Sequence, residues 1–233
     1  MKTTLMNIVA FLALAISALC WGTESADIDR QLAKCEREGG ACFEKMEASA
    51  IASQKANVSR AGTKLSIRTK ANNVYYQDLP DADTKTMMHS YAGFLNKINY
   101  YVIFRRSWEG GRFILISDAS GVNTQMSAVP YPSPSLKLMV SVSASEAEDT
   151  NEIDVWAVTP ERLKQIFHYA PSEYALYKFL AWDGENTIRL ENFTRSDGKY
   201  CPKGKLMTIA ETLKLENGKW HLSVDTPVNA KCQ

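Results

Sequence analysis

Residues 100–121 read YYVIFRRSWEGGRFILISDASG. Two apolar runs, Tyr100–Phe104 and Phe113–Ile116, flank a polar connection from Arg105 to Arg112 that carries Gly110-Gly111. Both runs are apolar at consecutive positions, without the alternation of a half-wet strand, and central strands buried on two faces read this way. The stretch therefore predicts a hairpin at the heart of a β-rich domain, with its turn between Arg105 and Arg112. Ser117–Gly121 should close the second strand, with Asp118 bonding back to the backbone and Gly121 in a left-handed conformation. Nothing in this pattern requires catalysis.

The same texture extends in both directions. From about Leu65 to the C-terminus, short runs rich in Val, Ile, Tyr and Phe alternate with turn residues: LSIRT, VYYQDL, LKLMVSVSA, IDVWAV, LKQIFHYAP, ALYKFLAW, TIRLENF, KLMTIAETLKL and KWHLSVD. So many short strands at hairpin spacing predict an antiparallel, mainly β domain. Asn217-Gly218 is the clearest turn, because both residues tolerate the positive φ of a type I′ hairpin. Across it, Leu213 and Leu215 should face Trp220, Leu222 and Val224, with Lys214, Glu216 and His221 on the wet side. Pro80–Leu95 reads ambiguously, since Asp81 or Asp83 suits a helix cap and Gly93 interrupts the pattern.

Toward the N-terminus the period changes. Ser25 to about Gln54 is charged, Ala-rich and nearly free of β-branched residues, with Ile28, Leu32 and Cys35 on one helical stripe. Gly39-Gly40 breaks the stripe before Cys42 and Met46 resume it, which predicts a short helical hairpin acting as a clamp on the N-terminus.

The chain opens MKTTLMNIVAFLALAISALCWG, with Lys2 ahead of an apolar run of 12 residues, Ile8–Leu19. That is the layout of a secretory signal peptide, and it is shorter than the roughly 20 residues of a membrane-spanning helix. Cleavage after Gly22 or Ala18 fits. Ser17–Cys20 is also similar to a bacterial lipobox, which would place a lipid on Cys20, although Leu19 stands where Gly, Ala or Ser is usual. The organisation predicted is a signal peptide over 1–22, a helical segment with a disulfide over 23–60, and an all-β domain over 61–233.

Loss of Lys2 with the leader balances the remaining 26 acidic residues against an equal number of basic ones. A neutral chain without blocks of like charge offers no net pull on nucleic acid or anionic lipid. Of the five cysteines, Cys20 falls in the leader and four remain, Cys35, Cys42, Cys201 and Cys232. In an exported chain an even number predicts two disulfides, of which Cys35–Cys42 and Cys201–Cys232 are the favoured pairing among three connectivities. Zinc binding by cysteine is disfavoured, because no C-x-x-C occurs.

From Phe113 to Phe193 the order of signals resembles the repeats of bacterial exported β-propellers of the TolB or WD type. RFILISDASG looks like a blade strand ending in D-x-x-[TS]-G, and YPSPSLKLMVSVSA is similar to the S-P-D-G-K-x-L segment that begins a blade. IDVWAVTPERLKQIFHYAP looks like the I-x-V-W strand with its partner, and YALYKFLAWDGENTIRL resembles F-x-W-x-x-D-x-x-I-x-L of the next blade. Ser135-Leu136 stands where the family has Asp-Gly, and the segment occurs once. The fold expected is therefore a mainly β antiparallel meander, either incomplete and propeller-like or a two-sheet sandwich. Family members mostly bind partners through blade loops, which implies binding here.

No G-x-S-x-G, S-x-x-K or H-E-x-x-H motif occurs, and His89, His168 and His221 lie outside metal-binding spacings. No cofactor and no catalytic residue is predicted. The acidic run Glu146–Glu152 is the best candidate for a hard cation, without the spacing of a calcium loop. Asn57 and Asn192 head N-x-[ST] triplets that a bacterial-type leader makes accidental. The residues expected to face a partner are those at hairpin ends: Arg105, Arg106, Trp108, Arg112 and Tyr131. The leading expectation is a periplasmic or secreted protein that binds another protein, as an inhibitor or immunity protein does. A hydrolase with a spatially assembled site and a glycan or small-ligand binder are the alternatives. A histidine touching both a carboxylate and a serine in a cleft would favour the hydrolase; a concave aromatic pocket would favour the small-ligand binder.

Overall fold

The computed structural model describes residues 23–80, 86–107, 110–145, 151–171, 174–224 and 231–232. The expected leader with Cys20, and Trp108, Glu146, Glu148 and Asp149, lie outside the described residues. Helices α1 (Thr23–Glu38) and α2 (Gly40–Gln54) form the helical hairpin. Gly39 supplies its corner with a φ of 86°, a conformation that favours glycine.

Four antiparallel sheets follow in chain order. The first holds β1 (Val58–Ala61), β2 (Lys64–Arg68) and β3 (Asn73–Gln77). The second holds β4 (Met87–Leu95), β5 (Tyr100–Ser107), β6 (Gly110–Ser117) and β7 (Asn123–Met126). The third holds β8 (Pro130–Pro132), β9 (Leu138–Val142), β10 (Ile153–Val158) and β11 (Leu163–Tyr169). The fourth holds β12 (Ala175–Trp182), β13 (Thr187–Arg195), β14 (Leu206–Glu216) and β15 (Lys219–Val224), with β16 (Lys231–Cys232) paired to the start of β14. Each sheet is a meander, and among the described residues none closes into a barrel. The fold is mainly β with a helical hairpin at its N-terminal end, as the sequence predicts.

The doubly apolar runs explain how the sheets stack. On β5 and β6, Tyr100, Val102, Phe104, Phe113 and Leu115 join one core with Ile28, Leu32 and Phe43 of the helices and Met139 and Trp156 of the third sheet. Tyr101, Ile103, Ile114 and Ile116 point the other way, into a core with Leu65 and Ile67 of the first sheet. Val140 and Val155 of the third sheet face Tyr177, Ile188 and Leu213 of the fourth. Every apolar side chain is thus removed from water on both sides of the central hairpin, each large one contributing about 1.5–3 kcal/mol.

Turns pin neighbouring sheets together. Tyr101 Oη donates to Asp118 Oδ1 at 3.1 Å, and Lys70 Nζ pairs with the other carboxylate oxygen at 2.9 Å, joining the first sheet to the second. Asp118 therefore serves this bridge, and it is Ser117 Oγ that accepts the backbone N–H of Ser120, at 3.1 Å. Gly121 has the expected positive φ of 73°. Tyr100 Oη donates to the Thr159 carbonyl at 2.7 Å, joining the second sheet to the third. Glu185 accepts the Ser133 hydroxyl at 3.0 Å, joining the third to the fourth. Leu136, standing where the propeller repeat has glycine, still adopts a positive φ of 63°.

Within the ambiguous Pro80–Leu95 stretch, Met87–Leu95 is a strand, whereas the candidate caps Asp81 and Asp83 lie outside the described residues. Met87–Leu95 lies flat under both helices, and the register slips between Tyr91 and Gly93. At Gly93 a Cβ would sit 3.2 Å from Ile28 Cδ1, so glycine lets helix and strand approach. The disulfides are Cys35–Cys42 across the helical corner and Cys201–Cys232, which ties β16 to the loop before β14. Asn217 and Gly218 have φ of 50° and 75°, and Leu213 pairs with Leu222 and Leu215 with Trp220, the predicted hairpin.

Candidate binding cleft

The helical hairpin is more than a clamp, because a cavity opens along each helix. The first, of 520 Å³, lies between α1 and the last three sheets. Its aromatic lining comes from distant strands: Phe104 on β5, Phe113 on β6, Tyr131 on β8, and Tyr177 and Phe179 on β12. Strand alternation puts each of them on the inward face. Phe104 and Phe113 meet with ring centroids 5.0 Å apart, and Tyr131 stacks on Phe179 at 4.3 Å. Gly111 makes room for this wall, since a Cβ there would lie 2.5 Å from the Phe104 ring.

A few polar groups converge on the aromatic lining. Tyr131 Oη donates to Asp29 Oδ2 at 3.2 Å, linking α1 to the third sheet. Desolvation raises the Asp29 carboxyl above its ordinary value, against the opposing pull of the Tyr131 hydrogen bond and of Lys178. Desolvation, with the Asp29 charge beside it, also raises the Tyr131 hydroxyl, so it stays protonated and able to donate. Ser127 Oγ, at the same rim, is buried without a hydrogen-bond partner. The lining mixes these five rings with Glu36, Lys178, Ser143 and Ser145 as well as Asp29 and Ser127, and its volume falls in the range of small-molecule sites, about 300–1,000 Å³.

The second cavity, of 800 Å³, lies along α2 against the first two sheets and is built on charge. Arg60 clamps Glu47 bidentately, at 2.9 and 2.7 Å, and reaches Asp78 at 2.7 Å. It also donates to the carbonyl of His89. Asp78 Oδ1 accepts the backbone N–H of His89 at 2.8 Å and lies 3.1 Å from His89 Nδ1. Glu47 accepts the N–H of Tyr91 at 2.8 Å. Each carboxylate in this cluster is met by a guanidinium and by backbone donors. Desolvation lowers His89 below its ordinary value, outweighing Asp78, with Arg105 and Arg60 adding to the effect. Desolvation pushes the neighbouring Tyr76 hydroxyl up to about 12.

The residues expected to face a partner are distributed over both sides of the second sheet. Tyr131 lines the aromatic cleft. Arg106 lines the charged cavity, its guanidinium 3.8 Å above the Phe43 ring. Arg105 and Arg112 pair across the strands on the opposite face, half-buried and without an ion pair among the described residues. The ladder runs to Ser107 and Gly110, so these arginines stand on strands, and the turn is narrower than predicted. Sequence pattern could not find Asp29 or Phe179, because their partner Tyr131 is supplied by another element far along the chain.

The histidines have separate environments. His221 is exposed on β15. His168 Nδ1 lies 2.8 Å from Asp154 Oδ1, and no serine bonds to its ring among the described residues. The signal for this pair was present in the sequence: IDVWAV and LKQIFHYAP form one hairpin, whose register sets Asp154 opposite His168. With Glu152 they form a group of ligand atoms within 4.8 Å of one another. Asn192 is buried and donates to Glu211 at 2.7 Å, which takes it out of reach of glycosylation.

No family model, curated protein or solved structure matches the chain. Among the described residues, no helix is long and apolar enough to cross a membrane.

Proposed function

We propose that the chain is an exported binding protein that takes a small, partly apolar ligand, such as a sugar or an aromatic compound, into the cleft beside α1. The observation that carries this reading is the convergence of five aromatic rings with the Asp29–Tyr131 pair around one 520 Å³ concavity. Stacked rings and one oriented carboxylate would hold a ring-shaped ligand by its faces and fix a hydroxyl or amine at its edge. Two disulfides support an oxidising compartment, periplasmic or secreted, in agreement with the leader.

The test is a thermal-shift and calorimetric screen of oligosaccharides and aromatic metabolites against the wild type and Phe179→Ala. A ligand that stabilises the wild type and loses at least tenfold in affinity in Phe179→Ala supports the cleft. A ligand bound equally by both places binding elsewhere.

One observation favours a second reading, in which the chain occludes a partner protein in the manner of an inhibitor or immunity protein. Arg105 and Arg112 present two neighbouring half-buried cations, without an ion pair among the described residues, near the end of the central hairpin. Under that reading an acidic partner captured from the native envelope is lost on Arg105→Glu/Arg112→Glu and kept on Phe179→Ala.

A further inference from the structure

We propose that Glu152, Asp154 and His168 form a binding site for a divalent transition ion of the zinc class, on the third sheet. The starting point is Asp154. It sits on the central strand β10 and is 2% exposed, yet among the described residues no lysine or arginine pairs with it. Its partners are Gln165, which donates to Oδ1 at 2.7 Å, and the His168 ring at 2.8 Å. Both contacts end on Oδ1. A buried carboxylate is normally matched by a cation or a metal. Arg60 does this for Glu47 and Asp78; Asp154 has only the His168 imidazole beside it.

The surroundings supply a ligand set. Glu152 stands just ahead of β10, two residues before Asp154, and the β10–β11 register brings His168 opposite Asp154. One oxygen from each acid and one imidazole nitrogen fall within 4.8 Å of one another. The His168 nitrogen and the Asp154 oxygen are 2.8 Å apart. Two ligand atoms each about 2.0–2.1 Å from zinc and separated by that distance subtend roughly 85° at the ion, within a small relaxation of tetrahedral. Gln165 would remain on Asp154 and orient it, as partners behind ligands do. Three protein ligands leave a fourth position for water or a ligand atom. The imidazole argues against calcium, which takes six to eight oxygens. Glu152 is half-buried and His168 exposed, so the site opens to solvent. The cysteines do not compete, because all four are in disulfides.

The experiment is isothermal titration calorimetry with zinc chloride, manganese chloride and calcium chloride. It uses the untagged, chelator-stripped chain with both disulfides intact, alongside Glu152→Gln, His168→Ala and His221→Ala. The expected result is saturable one-to-one zinc binding in the wild type and in His221→Ala. In Glu152→Gln and His168→Ala it is weakened more than about 100-fold, beyond the 10–100-fold typical of partners behind ligands. Both weakened variants change side chains open to solvent, and near-ultraviolet circular dichroism checks that they fold. Absence of saturable zinc binding would overturn the proposal. So would affinity unchanged in His168→Ala, affinity lost in His221→Ala, or binding of calcium alone.

Discussion

The two cavities beside the helical hairpin share the second sheet yet are built from opposite materials. Along α2, Glu47, Asp78 and His89 converge on Arg60, whose hydrogen bonds match both carboxylates, while Arg106 Nε in the same lining is buried without a hydrogen-bond partner. Along α1, five aromatic rings share the lining with Asp29, Glu36, Lys178 and three serines, of which Ser127 Oγ is buried without a hydrogen-bond partner. A network closed on itself holds elements in register: Arg60 joins α2, β1, the end of the first sheet and β4 in one side chain. The rings of the aromatic cavity pack on one another, Phe104 on Phe43 and Phe113 and Tyr131 on Phe179, with Tyr131 and Phe179 half-buried. The difference teaches that one sheet can carry two cavities built by different means, the larger by charge pairing and the smaller by ring packing.

This contrast can be broken most severely at Arg60. Arg60→Ala leaves two carboxylates, 12% and 5% exposed, without their cation. Breaking a buried pair in this way costs about 3–5 kcal/mol. Urea denaturation should show that loss, with ligand binding in the aromatic cleft retained wherever the variant is folded. Gly111→Ala acts next in size and on the other cavity. Its methyl group would collide with Phe104, which is wedged between Phe43 and Phe113, and overpacking of this kind costs about 1–3 kcal/mol. Because Gly111 and Phe104 both line the cleft, the same change should weaken ligand binding.

His89 sharpens the comparison through pH. Its folded value is depressed below 6.5, so the unfolded chain binds the proton more readily. Stability should be full above pH 6.5 and fall as pH drops from there toward the depressed folded value. His89→Asn, which keeps a donor near the Nδ1 position for Asp78, should flatten that slope when melting is followed from pH 7.5 to 5. The smallest effect on stability is expected at Tyr131→Phe. The lost hydrogen bond to an exposed Asp29 is worth about 0.5–1.5 kcal/mol at most. Ligand affinity should nevertheless drop, because the variant removes a polar group that orients the ligand.

The sequence disclosed what depends on local pattern. Tyr100–Phe104 and Phe113–Ile116 announced strands buried on both faces, Asn217-Gly218 announced its hairpin, and the even cysteine number announced two bridges. Strand β4 stayed hidden because MMHSYAGFL mixes small, polar and apolar residues, and only docking under α1 and α2 decides its conformation. Asp118 was assigned to its own turn, but Tyr101 and Lys70 from neighbouring elements compete for it and win. The cleft was legible only at Tyr131. Asp29, Phe104 and Phe179 become neighbours through the stacking of whole sheets, and no periodicity within one segment encodes that. Asp154 and His168 lay between these cases, since pairing two adjacent strands was enough to bring them together.

The claim that the aromatic cleft, and not the charged cavity, is the binding site is tested most directly by protein-observed nuclear magnetic resonance with a library of sugar and aromatic fragments. The account predicts backbone amide shifts clustered at Ala128, Val129, Ala144 and Lys178 around the cleft, with Met88 and Ser90 of the charged cavity unmoved. Shifts clustered at Met88 and Ser90, or fragments that move neither group, would contradict it.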